Sequence, residues 1–438
     1  MTPARRAATV PLALLAVFAL LMGTALCVPA RAEPGEELPD VPEHAYQATG
    51  PEVVGAGSQA QAPLLEPGIH RDSYALGAVE EEGAERSGTM KYYRVAVGNG
   101  QRVHAAATIA APPHPDGLPA ETGALGLTVS FLTAGGDACR ATEDKDAGQR
   151  QDGDGPITTS AVSEVMGWDG CPGEELFLSI RRTGTTLADT PLPVEIQIAI
   201  EPAGVGGGAP SVTEEIEDEG ATPVPPADDE PLAAGRSFAT APELEPGSYV
   251  LELVPGEASL VRIGVQEGQR LRWRVEETSQ PEGAGELALR VFNPAREQVT
   301  VGGGSWLMTS DDRVAGGAMT APVDLGNRSS ELRSVASAWL PGTHTVSLQR
   351  LQRDADADPA GNEPVTVVLT LEVEGEGAAS GGGAVLELGE TTLERGPLAG
   401  LGIEASWGRL GMYAGAAALT VLSLLCALAG VLVLRLRR

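Results

Sequence analysis

Apolar residues occupy every second position on either side of a short polar turn near residue 100. Tyr93, Val95 and Val97 lead into Gly98-Asn99-Gly100-Gln101-Arg102, and Val103, Ala105, Ala107 and Ile109 lead out. A period of two predicts strands with one buried face, and a Gly-containing turn between two such runs predicts a hairpin. The pattern returns 168 residues later. There Val261, Ile263 and Val265 precede Gly268-Gln269-Arg270, and Leu271, Trp273 and Val275 follow.

Further matches come in the same order. Leu127, Val129 and Phe131 answer Leu287, Leu289 and Val291. Pro172-Gly173 and the run 176–182 answer Pro341-Gly342 and the run 344–350. Val194, Ile196, Ile198 and Ile200 alternate as Val365, Val367, Leu369 and Leu371 do. Regular short strands with turn signals and little helical periodicity predict an all-β ectodomain. The fold class expected is two antiparallel β-sandwiches in tandem, over 67–202 and 236–373, produced by internal duplication.

Each unit resembles the bacterial pre-peptidase C-terminal domain, a jelly-roll-like sandwich appended to secreted proteins. The resemblance rests on the strand entering "GNGQRVHA" or "EGQRLRWRV", on "LTVSF" or "LALRVFNP", on "PGTHTVSLQR" and on the closing "VTVVLTLEV". It covers about two thirds of the chain. The late aromatic of the family pattern is replaced by His344 in one copy and Phe177 in the other. The resemblance implies a non-catalytic module for targeting, binding or chaperone-like work. It supplies no calcium ligand set that matches this chain.

The two ends predict a membrane context. Arg5-Arg6, an apolar run and Ala30-Arg31-Ala32 predict a signal peptide over 1–32. An uncharged run at 410–434 is long enough to span a bilayer and is followed by Arg435, Arg437 and Arg438. Basic residues stay cytoplasmic. The expected localisation is therefore the plasma membrane, single-pass, with the N-terminus outside and 435–438 as a cytoplasmic tail. Gly411 and Gly415 have the spacing of a helix–helix contact, which would allow a homodimer through the span. Acidic, Pro-rich or Gly-rich stretches at 33–66, 203–235 and 374–409 are expected to be linkers.

Charge narrows the functional class. The formal net charge of −30 disfavours nucleic-acid binding. Abundant Ala, Gly, Pro and Arg with scarce Lys suggest a GC-rich bacterial genome of actinobacterial type. Of four cysteines, Cys27 lies in the signal and Cys426 in the span. Cys139 and Cys171 remain in an oxidising compartment, where pairing is the leading expectation and a thiolate or metal site the alternative.

Candidate chemistry is sparse. The five histidines show no metal-ligand spacing, and no nucleophile elbow or phosphate loop occurs. No catalytic residue and no cofactor is expected. Asp144, Asp146, Asp152 and Asp154 could supply oxygen ligands to calcium, but they lack the EF-hand spacing, and a solvated loop is the simpler reading. Of Trp273, Trp306 and Trp339, Trp306 after "VGGG" is the one most suited to exposure and binding, with packing the simpler reading for the set. The expected function is a non-catalytic extracytoplasmic binding protein of the cell envelope. Its partner would be an envelope protein or wall polymer, and the chain an accessory subunit of a membrane or secretion complex. A structural spacer in the wall and an exported hydrolase with a dispersed site are the alternatives.

Overall fold

The computed structural model describes residues 45–81, 84–113, 123–139, 147–152, 155–168, 171–216, 220–254, 256–279, 286–301, 306–309, 315–351, 364–377, 384–389 and 391–394. The expected signal peptide, the span with Gly411 and Gly415, and Asp144, Asp146 and Asp154 lie outside the described residues. No helix among the described residues is long and apolar enough to cross a membrane.

The described chain is all-β. The first half contains β1 (Leu64–Leu65), β2 (Gly68–Tyr74), β3 (Val79–Glu81), β4 (Ala84–Arg86), β5 (Met90–Ala96), β6 (Arg102–Ala110), β7 (Ala124–Leu132), β8 (Ala147–Asp152), β9 (Pro156–Val162), β10 (Glu175–Gly184) and β11 (Leu192–Glu201). The second contains β12 (Glu243–Leu244), β13 (Gly247–Leu253), β14 (Ala258–Val265), β15 (Arg270–Ser279), β16 (Glu286–Phe292), β17 (Gln298–Val299), β18 (Trp306–Thr309), β19 (Ala315–Met319), β20 (Gly342–Leu351) and β21 (Val365–Glu374). A hairpin of β22 (Ala384–Leu388) and β23 (Thr391–Glu394) follows.

Both halves are wired alike. In the first, β1 runs parallel to β5, and the sheet continues through β10 to β7. In the second, β12 runs parallel to β14, and the sheet continues through β20 to β16. The opposing sheets are β2-β11-β6-β9 and β13-β21-β15-β19. Each pair of sheets encloses one core. Tyr93, Phe131 and Leu178 meet Ala107, Ile157 and Ile196 in the first, and Val261, Leu289 and Val346 meet Trp273 and Leu369 in the second. Alternation placed these residues inward, as a half-buried strand requires.

Two details differ from the sequence reading. The repeated turn does not close a hairpin. β5 and β6 lie in opposite sheets, as do β14 and β15, so the turn carries the chain across the sandwich. Alternation marks a buried face but not the sheet that owns it. The turn is held by its glutamine, whose side chain accepts from Gly98 N–H at 2.6 Å in one copy and Gln266 N–H at 2.9 Å in the other. Gly100 and Gly268 adopt φ of 80° and 85°, which a side chain would disfavour. The second difference is one of register. Ala105 faces Ile198, and its counterpart Trp273 faces Leu371, so Leu371 corresponds to Ile198 rather than to Ile200.

Described residues within the stretches expected as linkers pack on the sandwiches. Residues 45–66 contribute Tyr46 and Leu65 to buried clusters. Within 203–235, Val212, Ile216 and Leu232 pack on the core of the second sandwich, and Leu232 N–H bonds to Val250 O. The 384–394 hairpin returns to the first sandwich, where β22 pairs with β11 at Ile200 and Glu387. Isolated apolar anchors within polar stretches explain the difference, because average composition conceals them.

Candidate functional site

The two sandwiches meet in a buried polar seam. Every residue of β11 is buried. Its inward side chains fill the first core, while Glu195, Gln197, Ala199 and Glu201 face the second sandwich. Gln197 Nε2 donates to Pro294 O at 2.9 Å, and Gln349 Nε2 donates to Pro156 O at 3.0 Å. Apolar clusters flank these contacts. Tyr46 and Ala110 pack with Phe238, Leu260 and Phe292 on one side, and Ala199 packs with Trp339, Leu340 and Leu386 on the other.

Two ionic groups occupy the seam. Arg296 Nη1 donates to Glu195 Oε1 at 2.6 Å, Tyr46 Oη to the same oxygen at 2.7 Å, and Thr49 Oγ1 to Glu195 Oε2 at 2.6 Å. Burial alone would raise the Glu195 pKa, but Arg296 and these donors hold it below the ordinary carboxylate value. In the second group, His104 lies between two carboxylates, with Nδ1 2.7 Å from Glu297 Oε1 and Nε2 2.7 Å from Glu201 Oε2. Arg328 reaches both oxygens of Glu201, at 2.6 and 2.7 Å. Trp339 Nε1 and Asn293 Nδ2 donate to Glu297 Oε2 at 2.7 and 3.0 Å. Burial opposes charge on His104, yet Glu297 and Glu201 outweigh it and raise the imidazole above its ordinary value of 6.5.

These groups tie the two sandwiches together. A cleft beside them, lined by Tyr46, Phe238, Arg290, Phe292 and Gln349, offers about 20 Å³, the room of a single water. His344 is buried and neutral, its pKa lowered to about 4 by burial, and its Nδ1 lies 3.1 Å from Gly342 O.

The open feature lies at one end of the first sandwich. Met166 is buried and bonded both ways to the repeated turn, Gly100 N–H to Met166 O and Met166 N–H to Gln101 O, each at 2.9 Å. Gly167-Trp168 follows. Gly167 N–H donates to Cys171 O at 3.0 Å, and Cys171 N–H donates to Trp168 O at 2.9 Å. Cys171 is disulfide-bonded to Cys139, with Cα atoms 5.4 Å apart, as the cysteine count led one to expect. On this pinned turn Trp168 is 73% exposed.

The second sandwich shows how such a loop can be used. Gly268 N–H bonds to Val323 O, and Val323 N–H to Gln269 O, so Val323 is the counterpart of Met166. The chain beyond Val323 enters a 3-10 turn, Leu325–Ser329, whose Arg328 grips Glu201 of the first sandwich. The equivalent loop in one copy is therefore an interface element, and in the other it presents Trp168 to solvent.

The remaining candidates fall elsewhere. Asp152 ends β8, paired with Ala124. Among the described residues no group of three or more His, Cys, Asp or Glu could hold a metal ion. Trp306 begins β18 and pairs with Leu289 of β16, away from the Trp168 turn in sequence. Trp273 and Trp339 are buried, one in the core and one at the seam. Sequence reasoning missed Trp168 because a lone tryptophan between glycine and aspartate carries no periodic signal.

No protein-family profile matches the chain. No curated protein matches it either. Among solved structures it is similar to the tandem CBM22-1–CBM22-2 domain of Paenibacillus barcinonensis Xyn10C, at 12% identity, 80% coverage of this chain, 100% of that chain and a TM-score of 0.19. It is also similar to tripeptidyl peptidase 2, at 9% identity, 71% and 24% coverage and a TM-score of 0.19. The ANX1 ectodomain of Arabidopsis thaliana follows at 6% identity, 69% and 88% coverage and a TM-score of 0.17. Scores this low leave the fold description resting on the strand pairings themselves.

Proposed function

We propose that this chain is a non-catalytic binding protein of the cell envelope, held at the plasma membrane by the 410–434 span after removal of the 1–32 signal. Its two jelly-roll-like sandwiches, each resembling the pre-peptidase C-terminal domain, act as one body that presents the Trp168 turn to an envelope partner. The observation that carries this reading is the exposure of Trp168 on a turn pinned by Cys139–Cys171 and by the repeated glycine-glutamine turn. An exposed tryptophan on a rigid support loses little entropy when covered, and tryptophan is enriched among residues that dominate binding energy. The strong acidity of the chain favours a neutral or basic partner surface over a polyanion.

The test is co-sedimentation of the full-length protein, in detergent, with purified cell-wall sacculi, with calcium and with chelator. Trp168→Ala is run beside it. Binding lost in the variant supports a wall-polymer ligand at this turn. Binding that is equal in the variant rejects Trp168 as the contact. Absence of binding by either protein rejects the wall polymer and leaves a protein partner of the complex.

A further inference from the structure

We propose that the seam is a proton-dependent clasp: His104, held as an imidazolium between Glu201 and Glu297, keeps the two sandwiches and the 384–394 hairpin engaged, and loss of its proton at alkaline pH releases them.

The geometry requires the charge. Both ring nitrogens lie 2.7 Å from carboxylate oxygens, and only the protonated ring can donate from both. A neutral ring would turn a lone pair toward one carboxylate. The groups facing His104 are Glu201 from β11, Glu297 from the turn after β16, and the Trp339 ring, stacked at 5.5 Å. Arg328, Trp339 and Asn293 in turn hold the two carboxylates. With His104 charged, two cations face two anions. Without its proton, Arg328 still pairs with Glu201, but Glu297, only 14% exposed, keeps the neutral donors Trp339 and Asn293 and loses its cation, a costly imbalance in a largely desolvated site.

The duplicated fold supplies an internal control. The counterpart of His104 in the second sandwich is Arg272, and the counterpart of Glu201 is Glu374, since Arg102 faces Glu201 as Arg270 faces Glu374. Arg272 Nη1 binds Glu374 Oε1 at 2.6 Å. The fold thus accepts a permanent cation at this position. The first sandwich has a titratable one, at the place where the other sandwich docks.

Trp339 links that charge to the membrane-proximal chain. The same ring stacks on His104, lies 3.7 Å from the Arg328 guanidinium carbon, and packs in one cluster with Val385 and Leu386 of β22. Loosening at His104 therefore reaches the hairpin that precedes the expected span.

A group whose folded-state pKa is raised contributes stability that is complete below its unfolded value, near 6.5, and lost as pH rises through the folded value. The clasp therefore holds between the acid range in which Glu297 takes up its proton and the raised value of His104, and opens above the latter.

The test is hydrogen exchange of the full-length protein in detergent from about pH 6 to about pH 10, corrected for the intrinsic pH dependence of exchange, on His104→Gln, His104→Arg and wild type. In wild type, protection of residues 384–394 and of the Glu297 turn should fall about tenfold or more through a single-proton midpoint above 6.5. His104→Gln should lack both the protection and the midpoint, and His104→Arg should lack the midpoint. A wild type equally protected at both ends of the range, or a His104→Gln variant that keeps the same midpoint, overturns the proposal. Should the variants not fold, nitrogen-15 spectra of histidine-labelled wild type decide it. One of the five histidines must remain doubly protonated after the others have lost their charge, and neutral rings throughout at mildly alkaline pH would overturn the clasp.

Discussion

Arg296 and Glu195 meet at 2.6 Å across the seam, with 6% and 0% of their side chains exposed. The guanidinium also lies 4.2 Å from the centre of the Phe238 ring. A pair this deeply buried is costly to break from one side, because the remaining charge has no water. Arg296→Met should therefore destabilise the folded protein by about 3–5 kcal/mol in urea unfolding. The double variant Glu195→Leu with Arg296→Met should lie closer to wild type than either single change. A double variant as unstable as the sum of the singles would show that the two charges do not act as a pair.

Glu297 sets the acid limit of the same seam. Burial alone would raise its pKa, but the charge of His104 and the donors His104, Trp339 and Asn293 lower it from 4.5 to about 2. A depressed folded-state value stabilises above the unfolded pKa, and that stabilisation disappears as pH falls through the folded value. Melting temperature followed downward from pH 5 should decline through the interval from about 4.5 to about 2. In Glu297→Gln that part of the decline should be shallower, and the plateau lower. Parallel curves for the two proteins would remove Glu297 from the account.

The Cys139–Cys171 bond closes a loop with a sequence separation of 32. Replacing both cysteines by serine should cost about 3–4 kcal/mol by loop-closure entropy. It should also free the Trp168 turn, which is tied through Cys171. Urea unfolding measures the first effect. Tryptophan fluorescence anisotropy, read as the difference between each protein and its Trp168→Ala derivative, measures the second. Unchanged mobility at Trp168 in the serine variant would mean that the backbone bonds of the turn suffice without the disulfide.

Much of the fold was legible because the repeat is written in period-two patterns. Leu127, Val129 and Phe131 do correspond to Leu287, Leu289 and Val291, since Phe131 faces Leu178 as Val291 faces Val346. The same periodicity hid the shift in β21, because an alternating strand displaced by two residues still presents the same face. The seam was not legible. Glu195, Gln197 and Glu201 occupy the polar face of an amphipathic strand, the face that water would take if no second sandwich were there. His104 carries the same ambiguity on β6. Only the docking of the other sandwich turns a solvated face into a buried network. The Trp168 turn was likewise invisible, because its importance comes from a disulfide and from hydrogen bonds to residues more than sixty positions upstream.

Photo-crosslinking in producing cells decides whether the Trp168 end of this body meets a partner in the envelope. A photoreactive phenylalanine analogue is placed at Trp168 in the full-length protein, and at exposed Val224 as a control. A discrete adduct is expected from position 168 and none from position 224. Adducts of equal yield from both positions, or none from position 168, would contradict it.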